Sequence, residues 1–271
     1  MADPFENSVR ASGEAPSTPP SCLGPAPSAA DLASFKWLEV TDHSGWIHVV
    51  LNSGRHNCLT EEMAAEMASL LATASERDSI HCLVISGGEK RVFSRGLELK
   101  SFLAGGVDDQ SRFIERSNAL LSAIAGAPVP VICAINGVCA GAGLELAIAC
   151  DVRIAAESAT FSSPEVMYGL LPGGGVLQRL LRQVGRGQCM RVLWSGEMID
   201  AAEALRIGLV EEVVRPEMLA NRCEQVARRL SRAPRSVLAA MKRSVVEGLD
   251  LPMSKAVQLD LRQSVDALRR L

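Results

Sequence analysis

The amino-acid sequence predicts an α/β fold, with a sheet-built core and a helical C-terminal region. Three observations predict it. Short apolar and β-branched runs, such as residues 81–86 (HCLVIS) and 129–135 (VPVICAI), read as buried strands. Segments with apolar residues at helical spacing lie between them. Past Pro216 every periodic segment reads as helix. Strands come in pairs as well as singly between helices, which fits a plain doubly wound sheet poorly.

With 271 residues, 48% hydrophobic and 22% charged, the chain can bury one large core. A net charge of −3 gives no footprint for nucleic acid or an anionic membrane. The eight cysteines show no CxxC or Cys/His metal spacing, and the four histidines form no HExxH pattern, so no metal site is expected. Cys133, Cys139 and Cys150 lie in apolar runs and read as core thiols of a reducing compartment. No apolar run reaches the ~20 residues of a membrane span. The first residues lack the basic and apolar regions of a signal peptide, and Asp3, Glu6 and Glu14 argue against a transit peptide. A cytoplasmic location is the expectation.

Residues 1–33, rich in Pro, Ser, Ala and Gly, read as a flexible extension. Residues 34–215 should form the core and 216–271 a helical C-terminal region. Residues 36–40 and 46–51 read as a hairpin about Asp42-His43-Ser44-Gly45. Thr60 is a good N-cap for a helix over 60–76, whose Met63, Met67, Leu70 and Leu71 keep helical spacing. The strand 81–86 ends at Gly87-Gly88, a loop covers 89–96 and a short helical turn covers 98–104. An amphipathic helix over 110–125 turns Phe113, Leu120, Leu121 and Ile124 inward. Strands at 129–135, 152–156 and 159–162 surround a helix at 144–150. Helices follow at 176–182, 185–194 and 201–207, a strand at 210–214, and helices at 218–230, 236–247 and 252–269.

The chemistry centres on residues 135–151, INGVCAGAGLELAIACD. A strand runs through Asn136-Gly137 into Gly141-Ala142-Gly143, and a helix follows with one acid, Glu145, among Leu144, Leu146, Ala147 and Ile148. Small residues at a helix start let a ligand approach its free N–H groups, where the helix dipole favours developing negative charge. An acid among apolar neighbours should have a raised pKa and could move protons. A tight packing turn with a partly exposed Glu is the alternative reading of the same residues. Two other stretches could join it. In Phe93-Ser94-Arg95-Gly96-Leu97-Glu98-Leu99, Gly96 permits a backbone angle that aims the Leu97 N–H outward. In Phe161-Ser162-Ser163-Pro164-Glu165, a Pro-fixed turn presents an acid.

Together, the motifs FSRGLELK, INGVCAGAGLELAIACD, RIAAESATFSSPEVMYGLLPGGG and MIDAAEALRIGLVEEVV closely resemble the crotonase family, the enoyl-CoA hydratases and isomerases, over about residues 35–260. The resemblance implies a crotonase-type spiral of strand–strand–helix units with a helical C-terminal cap, assembled as a homotrimer or hexamer. It implies an acyl-CoA thioester substrate, with coenzyme A part of the substrate and no separate cofactor or metal. Carried over by position, the N–H groups of Leu97 and Ala142 form an oxyanion hole for the thioester oxygen. Glu145 and Glu165 fall on the catalytic acid positions, Glu145 activating water and Glu165 handling the α-carbon proton. Having both acids favours hydratase chemistry over isomerisation or action on a carrier-protein thioester, while a non-catalytic crotonase-fold scaffold, with the N-terminal tract as its binding arm, is the rival from another class. Arg55, Asn57, Gly96, Leu99, Gly141, Tyr168 and Gly173 fall near substrate positions, with the Gly173 N–H helping to hold the water.

There are departures from the family pattern. Asn52-Ser53-Gly54-Arg55-His56-Asn57 lacks the usual Pro where the family wraps pantetheine and adenine. Val176-Leu177 replaces a Gly-Thr after the glycine run. The family's C-terminal acidic-Gly-aromatic pattern with a basic end has no match here, which bears on closure of the acyl site and on the trimer contact.

Overall fold

The computed structural model describes residues 35–89 and 91–269, so the expected 1–33 extension lies outside the described residues. In chain order the elements begin with β1 (Leu38–His43), β2 (Trp46–Leu51), α1 (Glu61–Glu76), β3 (Cys82–Ser86), β4 (Val92–Ser94), α2 (Leu99–Ala104) and α3 (Val107–Ala125). Next come β5 (Val131–Ile135), β6 (Val138–Ala140), α4 (Ala142–Ala149), β7 (Val152–Ala156), β8 (Thr160–Ser162) and α5 (Val176–Ser195). The chain finishes with β9 (Ile199–Asp200), α6 (Ala201–Arg206), β10 (Glu212–Val214), α7 (Leu219–Leu230), α8 (Arg235–Gly248) and α9 (Met253–Leu268).

The strands form two sheets, ordered β1-β2-β3-β5-β7-β10 and β4-β6-β8-β9. Pairing is parallel except for the β1–β2 hairpin and the β8–β9 edge. Three windings, β3–β4, β5–β6 and β7–β8, lay one strand in the first sheet and the next in the second, then return through helix. That is the expected spiral of strand–strand–helix units. The strands β4, β6 and β9 fall in stretches the sequence reads as loops. They are three residues or fewer and pair with residues far along the chain, as in Val92 with Val138, so local periodicity cannot reveal them. The helices expected at 176–182 and 185–194 are present as the two halves of α5, which meet at a kink where Gly185 is not helical (φ 77°, ψ 163°).

Local chemistry explains the main elements. The Thr60 hydroxyl accepts the Met63 N–H at 3.2 Å and starts α1. Met63, Met67, Leu70 and Leu71 of α1 enter the main core beside Leu83 and Ile85 of β3. Both faces of β3 and β5 are covered, which is why they read as unbroken apolar runs. On the second face, Leu219, Cys223 and Ala227 of α7 recur every four residues and pack on Val84, Ile132, Ala134 and Ile154.

The C-terminal helices α8 and α9 pack mainly on each other, and polar anchors tie α8 to the core. The Lys242 ammonium is buried and donates to the Ile124 and Val129 carbonyls at 3.0 and 3.1 Å and to Asp151 Oδ2 at 2.7 Å. Asp151, just past α4, also accepts the Val131 N–H at 2.7 Å. Arg235 donates to the carbonyls of Ala74 and Ser75, at 2.9 and 2.8 Å, and so satisfies the end of α1. Removing one partner of a buried pair leaves the other charge uncompensated. Lys242→Met should therefore lower unfolding stability by about 3 kcal/mol. Urea melts of both proteins check this, and coincident midpoints would show that the anchor contributes nothing.

Candidate active site

The turn after β4 and the start of α4 meet at Gly96. Its N–H donates to Ser94 Oγ at 3.1 Å, and that hydroxyl donates to the Asn57 carbonyl at 2.6 Å. With φ +85°, Gly96 occupies a region that favours glycine, and a Cβ there would sit 2.7 Å from the Ala142 nitrogen. The Gly96 carbonyl accepts the Leu59 N–H at 2.8 Å. A planar trans peptide holds C=O and N–H on opposite sides, so the Leu97 N–H points away from Leu59. The same rule orients Ala142. The Gly141 carbonyl accepts the Glu145 N–H at 3.0 Å within the helix, so the Ala142 N–H projects outward from the helix start. Two main-chain donors from distant parts of the chain thus adjoin one glycine.

Glu145 lies one turn into α4 and is 5% exposed. Its Oε1 accepts the Gly174 N–H at 2.7 Å. Burial pushes its carboxyl up to about 7; the Gly174 N–H pulls down, the Glu165 charge adds to the rise, and Arg179 opposes it. Glu165 stands on a 3₁₀ turn, Pro164–Tyr168. Its Oε2 accepts from the Ser163 hydroxyl at 2.6 Å. Its Oε1 lies beside Gly141, 3.1 Å from where a first side-chain carbon would be. Both carboxyl groups therefore converge on the Gly141–Glu145 segment. The reading of this stretch as a packing turn with a partly exposed Glu does not survive, because Glu145 is inside and hydrogen-bonded.

Beside Ala142 and Glu145 is an apolar cavity of about 20 Å³, walled by Met63, Met67, Phe113, Leu120, Leu121 and Leu146, among others. Leu59, Thr60 and Phe113 also line an outer cleft of about 450 Å³ that contains Leu97, Glu98 and Phe102.

Other expected residues fall elsewhere. Asn57 is fully buried with φ 46°, and its amide donates to the Gly87 and Phe93 carbonyls at 3.3 and 3.2 Å. The expected substrate contact is therefore corrected to a structural one: this side chain is spent on tying the 53–57 turn to β4. Arg55 is exposed on a 3₁₀ turn, Gly54–His56, adjoining Arg95 through the Arg95 N–H to His56 carbonyl bond at 3.1 Å. Leu99 is half-buried at the start of α2. Tyr168 is 57% exposed and not among the residues lining the cavity. Gly173 is beside Ile114, and it is the next amide, that of Gly174, that reaches Glu145.

Sequence reasoning missed Gly174, Asn118 and Arg179. The Asn118 amide donates to the Gly173 carbonyl, and Arg179 Nη1 donates to the Gly174 carbonyl at 2.6 Å. A signal existed for Arg179. A cation in the first turn of a helix opposes the dipole and calls for a specific partner. Asn118 is a polar residue two and three positions before Leu120 and Leu121, on a helix read mainly for its apolar face. Among the described residues, no cluster of His, Cys, Asp and Glu could hold a metal, no helix is long and apolar enough to cross a membrane, and seven cysteines are free thiols.

The profile of the enoyl-CoA hydratase/isomerase family matches residues 42–268. A crotonyl-CoA hydratase of Syntrophomonas wolfei is 31% identical over 204 residues, 75% of this chain and 78% of that protein. The crystal structure of an enoyl-CoA hydratase from Bacillus anthracis superposes with a TM-score of 0.84 at 26% identity, covering 86% of this chain and 92% of that one. Human enoyl-CoA hydratase domain-containing protein 3 superposes with a TM-score of 0.81 at 28% identity, covering 86% and 92%.

The Glu145 carboxyl also bears on stability. Its folded pKa of about 7 exceeds the ordinary 4.5, so the folded state holds the proton more tightly. Stability is then lost as pH rises from the lower value through the higher, by about 3 kcal/mol in all. Glu145→Gln keeps an acceptor for Gly174 and removes the titration. By chemical denaturation it should gain on wild type with rising pH, reaching an advantage of about 3 kcal/mol near pH 8. A constant difference across pH would contradict a buried, titrating Glu145.

Proposed function

The chain belongs to the enoyl-CoA hydratase/isomerase family, and from that premise we propose that it is a hydratase, adding water reversibly to a 2-enoyl-CoA thioester. The observation that carries this reading is the convergence of two carboxyl groups, Glu145 and Glu165, beside two outward main-chain amides. In the proposed reaction the Leu97 and Ala142 N–H groups bond the thioester oxygen and stabilise it as it becomes an enolate, worth about 2.7–4 kcal/mol per donor. Glu145 takes a proton from the water that attacks the β-carbon. Glu165 supplies the proton to the α-carbon. A carboxyl titrating near 7 can serve at neutral pH, where a base is present in its ionised form without being too weak. Coenzyme A enters as part of the substrate, its phosphates towards the exposed Arg55, His56 and Arg95.

The roughly 20 Å³ cavity beside Glu145 supports a compact acyl group. It accommodates about one small group beyond the reacting carbons. Crotonyl-CoA should be hydrated at least tenfold faster than a ten-carbon enoyl-CoA, and Met67→Ala should narrow that ratio. With Glu145 as the base, kcat/KM for hydration rises with pH through about 7. A rate that falls through that range would reverse the two acid roles. No turnover of short, medium or aromatic enoyl-CoAs, in wild type as in Glu145→Gln and Glu165→Gln, would leave the scaffold reading instead.

Assembly as a homotrimer or hexamer is the accompanying proposal. Its support is apolar side chains exposed at four-residue spacing, Met241, Val245 and Leu249 on and just past α8 and Met253, Val257 and Leu261 on α9. Light scattering should give the mass of three or six chains, and Val245→Glu with Leu261→Glu should lower it. A monomeric wild type would end this proposal.

A further inference from the structure

Gly173 C=O and Gly174 N–H belong to one peptide group. Asn118 of α3 donates to its carbonyl, and its N–H donates to Glu145 Oε1 at 2.7 Å. The following carbonyl, of Gly174, accepts from Arg179 Nη1 at 2.6 Å, and the same guanidinium reaches Ser122 Oγ of α3 at 3.2 Å. The segment 173–175 is thus gripped by two side chains, one from each flanking helix, and Glu145 is what it holds. The fit has no slack. A Cβ on Gly174 would overlap Glu145 Oε2.

We propose that Asn118 and Arg179 are positioning residues that act through the 173–175 segment to fix the Glu145 carboxyl and keep it ionisable. The proposal rests on the hydratase reading for its catalytic meaning, while the clamp itself stands on geometry. Asn118 polarises the peptide whose N–H it does not touch, since a carbonyl that accepts a bond makes its own N–H a stronger donor. Arg179 holds the next peptide and adds a positive charge. Two charged groups act on Glu145: Arg179, which favours its ionised form, and Glu165, which opposes it. Helices α1 and α3 present Met63, Met67, Leu120 and Leu121 to the cavity beside it. Arg179 stands in the first turn of α5, against the helix dipole, a placement explained by this bond rather than by helix stability.

The test compares wild type, Arg179→Met, Arg179→Lys and Asn118→Leu. The ionisation midpoint of Glu145 is read, without any substrate, from the pH dependence of unfolding stability of each protein against its Glu145→Gln counterpart. Crotonyl-CoA hydration is measured on the same proteins. Arg179→Met should move the midpoint up by about one pH unit and carry the acid limb of kcat/KM with it. Arg179→Lys should stay near wild type, and Asn118→Leu should lower kcat about tenfold with KM little changed. An unmoved midpoint in Arg179→Met overturns the proposal, even if hydration is fast. A shifted midpoint in a protein that hydrates no enoyl-CoA upholds the clamp and rejects the hydratase reading.

Discussion

The burial of one carboxyl group against one backbone amide sets the terms for everything else here. Glu145 costs the fold stability whenever it is ionised, because the surroundings that hide it from water also penalise its charge. What makes the arrangement tolerable is the Gly174 N–H, and that donor is in place because a run of three glycines can approach where no other residue would fit. Stability is spent at the point where proton transfer is proposed, in line with the general finding that perturbed titrating groups gather at functional sites.

The two-sheet spiral is what makes such a point possible. Three successive windings, through β3–β4, β5–β6 and β7–β8, leave the six-stranded sheet, cross to the four-stranded one, and turn back through helix. The crossings after β4, β6 and β8 stack on neighbouring parallel strands, so residues 96, 142 and 165 come side by side although nearly 70 positions separate the first from the last. The helix starts and turns that follow these crossings supply amides and acids to one place, while the apolar halves of α1 and α3 close the other side. Long-range pairing does the assembling, and local sequence supplies what each crossing carries.

That division explains how much was legible. The helices with a buried stripe and the strands buried on both faces could be read from periodicity, because their own residues decide their state. The acid inside α4 and the permissive Gly96 were also legible, since residue type and neighbours sufficed. The brief strands β4, β6 and β9 were not, being defined by partners and not by composition. Nor was the inward burial of Asn57, whose type and place in the motif suggested contact with a ligand but whose amide is engaged by the carbonyls of Gly87, Val92 and Phe93. Asn118 and Arg179 escaped because a hydrogen bond to a distant main-chain carbonyl leaves no mark on spacing; the misfit of an arginine at a helix start was the one trace.

The ammonium of Lys242 carries an implication for how this chain can be edited. It reaches across from the C-terminal hairpin to the acid two residues past the Glu145 helix, and to the Ile124 and Val129 carbonyls. A shortened version ending before residue 242 would take from Asp151 its only ammonium partner and leave it the Val131 N–H alone. The terminal helices are therefore a keystone and not a detachable tail, and engineering that treats them as a disposable fusion point would unsettle the floor on which the acid helix rests.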